Sequence, residues 1–147
     1  MAKPYVVEAS AVTKAPLDVA ARAITDPANL PKWFKGACDV EADGGYPAVG
    51  GTMQFKVKWG GMKSNFAATV KENALPGKLV QRVKTPSGTS DITHTFTAWN
   101  GGTRYTKRVE VEDASWLLRL LMGSFLPRSV RNEVAAAARV ADDAIAR

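Results

Sequence analysis

Thr52-Met53-Gln54-Phe55-Lys56-Val57-Lys58-Trp59-Gly60-Gly61-Met62-Lys63-Ser64-Asn65-Phe66-Ala67-Ala68-Thr69-Val70 is the stretch that decides the architecture. Up to Trp59 the residues alternate, with Met53, Phe55, Val57 and Trp59 on one side and Thr52, Gln54, Lys56 and Lys58 on the other. Period two is the signature of a half-buried strand, apolar inward and polar outward. Gly60-Gly61 supplies the turn, and beyond it Met62, Ser64, Phe66, Ala68 and Val70 repeat the pattern opposite Lys63, Asn65, Thr69 and Lys71. The two halves form a hairpin with one apolar and one basic face. Working outward, turn signals recur at Gly44-Gly45, Gly50-Gly51, Pro76-Gly77, Pro86-Ser87-Gly88 and Asn100-Gly101-Gly102. Further strands are expected at 5–13, 37–43, 78–85, 89–99 and 103–112, seven in all.

Helical spacing appears at the two flanks. Ala15 to Thr25 has Pro16 in its first turn and Asp18 near its positive end, carries Val19, Ala20, Ala23 and Ile24, and stops before Asp26-Pro27. A short second helix over about 28–35 follows. After candidate caps at Asp113 and Ser115, a long terminal helix shows Val130, Val134, Ala137, Ala141 and Ile145 as one stripe. Pro127 should kink or split it near Gly123-Ser124, leaving an apolar arm from Trp116 to Phe125 and an amphipathic one. The expected fold is α+β, one domain over 1–147: a seven-stranded curved antiparallel sheet wrapped around a long carboxy-terminal helix. Two short helices lie between the first and second strands. A twisted sheet of this length curls, and only the terminal helix is long enough to cover its concave apolar face.

Composition narrows the function classes. With 46% hydrophobic and 23% charged residues the chain is an ordinary globular one. A single cysteine, Cys38, excludes an intramolecular disulfide framework, and one cysteine with one histidine is too little for a typical zinc site. No metal or cofactor is expected. No apolar signal core follows Met1-Ala2-Lys3-Pro4-Tyr5, so a cytoplasmic location is expected. The run from Trp116 to Leu126, broken by Arg119, falls short of the ~20 apolar residues of a membrane span. Twenty basic residues against 14 acids give a net charge of +6, and seven of the basic ones fall between Lys56 and Lys84 with one acid, Glu72, among them. They alternate away from the core and lack interleaved aromatics for base stacking. Weak, salt-sensitive attraction to anionic surfaces is expected, without specific nucleic-acid binding.

Three stretches resemble a known family: Ile24-Thr25-Asp26-Pro27-Ala28-Asn29-Leu30-Pro31-Lys32-Trp33, then Val49-Gly50-Gly51-Thr52 opening a strand, and Gly101-Gly102-Thr103-Arg104-Tyr105 opening the last one. Together with the order of elements, they resemble the START-like (SRPBCC, helix-grip or Bet v 1-like) superfamily, in particular its bacterial polyketide cyclase/dehydrase and lipid-transport branch. The resemblance spans nearly the whole chain. It implies a helix-grip fold and a cavity for a hydrophobic small molecule, while its members do very different jobs.

No Gly-x-Ser-x-Gly, phosphate-cradling loop, His-Glu-x-x-His or Cys-x-x-Cys motif is present. Cys38 shares a parity with Val40 and Ala42, and the expectation is an inward, buried thiol. His94 alternates with Ile92, Phe96 and Ala98 and faces inward, as a satisfied core histidine or as an acid/base. Lys107 falls among the inward Tyr105, Val109 and Val111, where a charge is costly unless paired. Either a bulge or a snorkelling stem carries it out, or it meets the acidic head group of a ligand; in the second case Lys107→Met should raise stability and weaken acidic ligands.

The leading functional expectation is a protein that binds a hydrophobic or amphipathic small molecule, lipid or polyketide-like, without catalysis. Its cavity would be lined by Trp33, Met53, Phe55, Val57, Trp59, Phe66, Phe96, Trp116 and Leu120. One alternative is a polyketide aromatase/cyclase, with His94, Lys107, Tyr105 and Ser64 available for proton transfer. Another is an interaction module that docks on a ribosome or on a respiratory or metalloenzyme assembly.

Overall fold

The computed structural model describes residues 5–86, 88–112, 123 and 125–146, and of Trp59 only the backbone. Its elements are β1 (Tyr5–Thr13), α1 (Leu17–Thr25), a 3-10 turn (Pro27–Asn29), α2 (Leu30–Trp33), β2 (Ala37–Asp43), β3 (Thr52–Trp59), β4 (Met62–Ala74), β5 (Lys78–Thr85), β6 (Gly88–Trp99), β7 (Gly102–Val111) and α3 (Phe125–Ile145). The strands form one antiparallel sheet in the order β1-β7-β6-β5-β4-β3-β2. Every neighbour but β1 on β7 is joined by a direct connection, and β1 closes the far edge. This is the expected α+β grip.

The three stretches that carry the family resemblance each solve a local problem. Asp26 Oδ1 accepts from the Ala28 amide at 2.9 Å, Asn29 Nδ2 donates to the Ala23 carbonyl at 2.8 Å, and Trp33 Nε1 donates to the Ile24 carbonyl at 3.2 Å. These bonds fold the α1–α2 corner and turn the Trp33 ring inward. At Gly51 a Cβ would stand 2.7 Å from the Tyr46 Cα, so only glycine lets the 44–50 loop lie against the start of β3. At Gly102 a Cβ would collide with the Thr13 carbonyl, where β7 enters beside the end of β1.

One end of the grip is packed solid. Ala20, Ala21 and Ile24 of α1, Val134, Ala137 and Ala141 of α3, and Phe96 and Tyr105 of the sheet belong to one buried cluster. Small residues on α3 let the helix approach the sheet closely here. Asp142 Oδ1 ties the helix end to β1, accepting from the Thr13 hydroxyl at 2.6 Å and the Lys14 amide at 2.8 Å.

Two expectations need correction. Cys38 does not point inward: Ala37 pairs with inward-facing Val57 and is buried, whereas Cys38 pairs with outward-facing Lys56 and is half-buried. A bulge between Cys38 and Glu41, with Asp39 at φ 51°, inserts one residue and returns Ala42 opposite Met53. Ile145, placed on the helix stripe, is exposed, because the buried face ends at Ala141. The break expected from Pro127 agrees with the described helix, which begins at Phe125 after a turn at Gly123 and carries Pro127 in its first turn, where the missing N–H breaks no intrahelical bond. The expected caps Asp113 and Ser115, and the apolar arm up to Met122, lie outside the described residues.

Candidate functional site

Between the sheet and the first half of α3 the described residues leave a space. A cavity of about 660 Å³ opens there, a volume typical of small-molecule sites. Its apolar wall includes Trp33, Met53, Phe55 and Phe66, all singled out from the sequence. Phe34, just past α2, joins them; its ring packs edge-on against Phe55 at 5.7 Å and Phe66 at 6.2 Å. Sequence reasoning missed Phe34 because it follows a four-residue helix and belongs to no period. Val57 and Phe96 do not line the cavity: Val57 packs against the core beside Ala37, and Phe96 stacks on Tyr105 in the solid end. The Trp59 side chain, Trp116 and Leu120 lie outside what the structure describes. Ser64, on β4 opposite Val57, is not part of the wall.

The polar groups gather along a single stripe. Lys107 faces inward, 2% exposed, and its Nζ donates to Glu133 of α3, itself 7% exposed. Glu133 also accepts from the Ser129 hydroxyl at 3.0 Å, while the Lys107 Nζ lies 5.0 Å from the Trp33 ring centre and 5.2 Å from that of Phe34. An ion pair and two aromatic faces therefore satisfy this lysine. The alternatives drawn from the sequence, an escape to the rim or an acidic ligand, both fall away, because the counter-charge comes from the helix.

His94 is cross-strand from Lys107 and equally buried. Its Nδ1 lies 2.7 Å from the Tyr105 hydroxyl and its Nε2 3.2 Å from Gln81 Oε1. Burial, with the Lys107 charge adding to it, lowers the imidazole pKa to about 3, so the ring is neutral at pH 7. Burial raises the Tyr105 phenol well above its usual range, and the charges of Glu133 and Tyr46 push the same way. Tyr46, from the loop seated by Gly51, donates its hydroxyl to the Thr25 carbonyl at 2.9 Å. Its pKa is pushed up to about 12 by burial, which the Gln81 amide opposes and the Asp26 charge reinforces. Gln81 is 4% exposed, and its Nε2 has no hydrogen-bond partner among the described residues.

Elsewhere the outer face is less basic than its sequence. Arg82 pairs with Asp91 at 3.0 Å and Glu112 at 2.6 Å, Lys71 with Asp91 at 3.6 Å, Lys78 with Glu72 at 2.7 Å and Lys63 with Asp39 at 3.7 Å. Among the described residues no group of three or more His, Cys, Asp or Glu is placed to hold a metal ion, and no helix is long and apolar enough to cross a membrane.

A sheet gripping a terminal helix over a lined cavity defines a protein of the START-like, helix-grip superfamily. More narrowly, the model of the family described as Activator of Hsp90 ATPase homolog 1-like protein matches residues 14–123, and the chain belongs to that family. No curated protein matches it. Solved structures of similar fold include a protein of unknown function, SA2116 of Staphylococcus aureus. It has 15% identity and a TM-score of 0.75, with 99% of this chain and 98% of that chain covered. The ZhuI aromatase/cyclase of Streptomyces sp. R1128 has 14% identity and a TM-score of 0.78 over 97% and 96% of the two chains. Ara h 8.0201 has 10% identity and a TM-score of 0.74 over 98% and 99%. At these identities the likeness is one of fold.

Proposed function

We propose that the chain binds a hydrophobic or amphipathic small molecule, lipid or polyketide-like, in the cavity between the sheet and α3, and performs no chemistry on it. The observation that carries this reading is the cavity itself: about 660 Å³, walled by aromatic and aliphatic side chains, with its polar groups confined to one stripe.

The cyclase alternative asks for a group that exchanges protons near neutrality. His94 is held far below that range, and both of its ring nitrogens face protein partners. Tyr105 is held far above it and Lys107 is engaged by Glu133, while Ser64 stands apart from the cavity wall. The likeness to ZhuI is one of fold, and these pKa values favour binding over catalysis.

Native mass spectrometry of protein purified from its source cells tests the proposal. A retained small mass that denaturation removes is expected, and it should be missing from Ala68→Leu, which adds bulk to a buried wall position. A ligand-free spectrum, together with a loss of ~1–3 kcal/mol of stability in Ala68→Leu as in an overfilled core, would overturn it.

A further inference from the structure

We infer that the cavity receives the carbonyl end of an uncharged ligand, with the Gln81 side-chain amide as the donor that holds it. The inference rests on reading the cavity as a ligand site and adds the chemistry of the ligand's polar end.

Gln81 lies on β5 between Leu79 and Val83, on the inward face of the sheet. Its Nε2 is the one buried side-chain polar atom without a partner among the described residues. An amide nitrogen carries two N–H donors, and a donor left unmet in apolar surroundings is costly, so native cores rarely contain one without a reason. The amide orientation follows from its neighbours. If the Tyr105 hydroxyl donates to His94 Nδ1, then His94 Nε2–H donates to Gln81 Oε1, and the Tyr105 and His94 protons both find acceptors. Turning the amide over would reverse the row and leave the Tyr105 hydroxyl proton with no acceptor. Nε2 therefore faces the cavity and the neighbouring Tyr46 phenol; the phenol oxygen, its proton spent on the Thr25 carbonyl, can attract one of the two amide N–H groups, and the other is left for the cavity.

The charges around the cavity decide between an ionised and a neutral acceptor. Lys107 and Glu133 neutralise each other, Glu133 is further engaged by Ser129, and Lys107 is covered by Trp33 and Phe34. A carboxylate entering here would be a buried anion beside Glu133, with no cation left unpaired among the described lining residues to receive it. A ketone, ester or amide carbonyl accepts from an N–H without bringing a charge. The rest of the wall, from Phe55 and Phe66 to Ile92 and Val109, fits an apolar body.

Three fluorescent dimethylaminonaphthalenes separate the cases: one with a propionyl group, one with a propyl group in its place and one with a carboxylate. They are titrated into the wild-type chain and Gln81→Met at neutral pH. The ketone should bind the wild type more tightly than the carboxylate does. The ratio of ketone to propyl affinity should fall by about tenfold in Gln81→Met, the worth of one hydrogen bond to a neutral acceptor. In the wild type the infrared carbonyl band of the bound ketone should lie below its position in hexane, a readout that needs no variant. An unchanged ratio, a band at the hexane position or a carboxylate that binds tightest overturns the inference while leaving the ligand site standing. Failure of all three probes to bind overturns both.

Discussion

Removing the positive charge at position 107 reads out the buried pair directly. In Lys107→Met the Glu133 carboxylate keeps the Ser129 hydroxyl and loses its cation, at a position 7% exposed. Stranding one partner of a buried pair costs about 3–5 kcal/mol, a large fraction of the ~5–15 kcal/mol that holds a domain folded. Glu133→Leu should cost less, because Lys107 keeps the rings of Trp33 and Phe34, contacts worth about 0.5–2 kcal/mol each according to how dry they are. The double variant removes both charges and should lie between neutral and ~1–4 kcal/mol more stable than the wild type. Urea unfolding of the four proteins at pH 7, with m-values compared to confirm a common unfolded state, closes the cycle. The sequence alone pointed the other way, since a lysine with no partner would be better replaced by methionine. A Lys107→Met protein as stable as the wild type or more so would therefore refute the pairing.

Two further outcomes follow from the surroundings of single residues. His94 is neutral in the fold down to about pH 3 but titrates near 6.5 when unfolded, so the unfolded chain gains a proton first as the pH falls. Its contribution is whole above pH 6.5 and is lost towards pH 3, at roughly 1 kcal/mol per pH unit; stability of the wild type should fall more steeply than that of His94→Gln between about pH 6 and pH 4.5, and parallel curves would sink the assignment. Cys38, turned outward by the β2 bulge, should react with a small thiol reagent in the folded protein, whereas labelling that waits for denaturant would restore the inward reading.

How far the sequence could be read depended on whether a residue belonged to an unbroken period. His94 and Lys107 follow the alternation of long, regular strands, and both face inward. Gln81 obeys the same rule between Leu79 and Val83, and Glu133 sits three residues after Val130 and four before Ala137, inside the apolar stripe of α3. Both signals were present: a polar residue on an apolar face asks for a partner, and an inward lysine with an inward glutamate in the covering helix are natural partners. Reading the stripe for its apolar members alone passed over the acid. Cys38 was misread for a different reason, since a one-residue bulge shifts parity and leaves no compositional trace. Tyr46 and Phe34 arrive from a loop and a helix end, where side-chain direction depends on packing that no local pattern encodes. Which end of the grip is full was equally hidden, because it depends on α1 and the alanines of α3 closing over Phe96 and Tyr105.

The placement of the ionisable groups bears on what such a cavity can select. Each is settled against another protein group: Lys107 against Glu133, His94 between Tyr105 and Gln81, Tyr46 against the Thr25 carbonyl. Among the described residues, a wall so arranged presents no free charge to an entering molecule, and it discriminates by shape and by the unpartnered amide nitrogen of Gln81. Discrimination of that kind is asymmetric. An added methylene is worth only about 1–3 kcal/mol in an apolar pocket, but a ligand bringing a charge must bury it unpaired, which costs far more. The buried pair thus acts on specificity by what it excludes. Lys107→Met tests this as well as stability, because the Glu133 carboxylate left behind should weaken the carboxylate-bearing naphthalene more than the propyl one. Equal weakening of the two would mean that the pair lies outside the reach of the ligand and serves the fold alone.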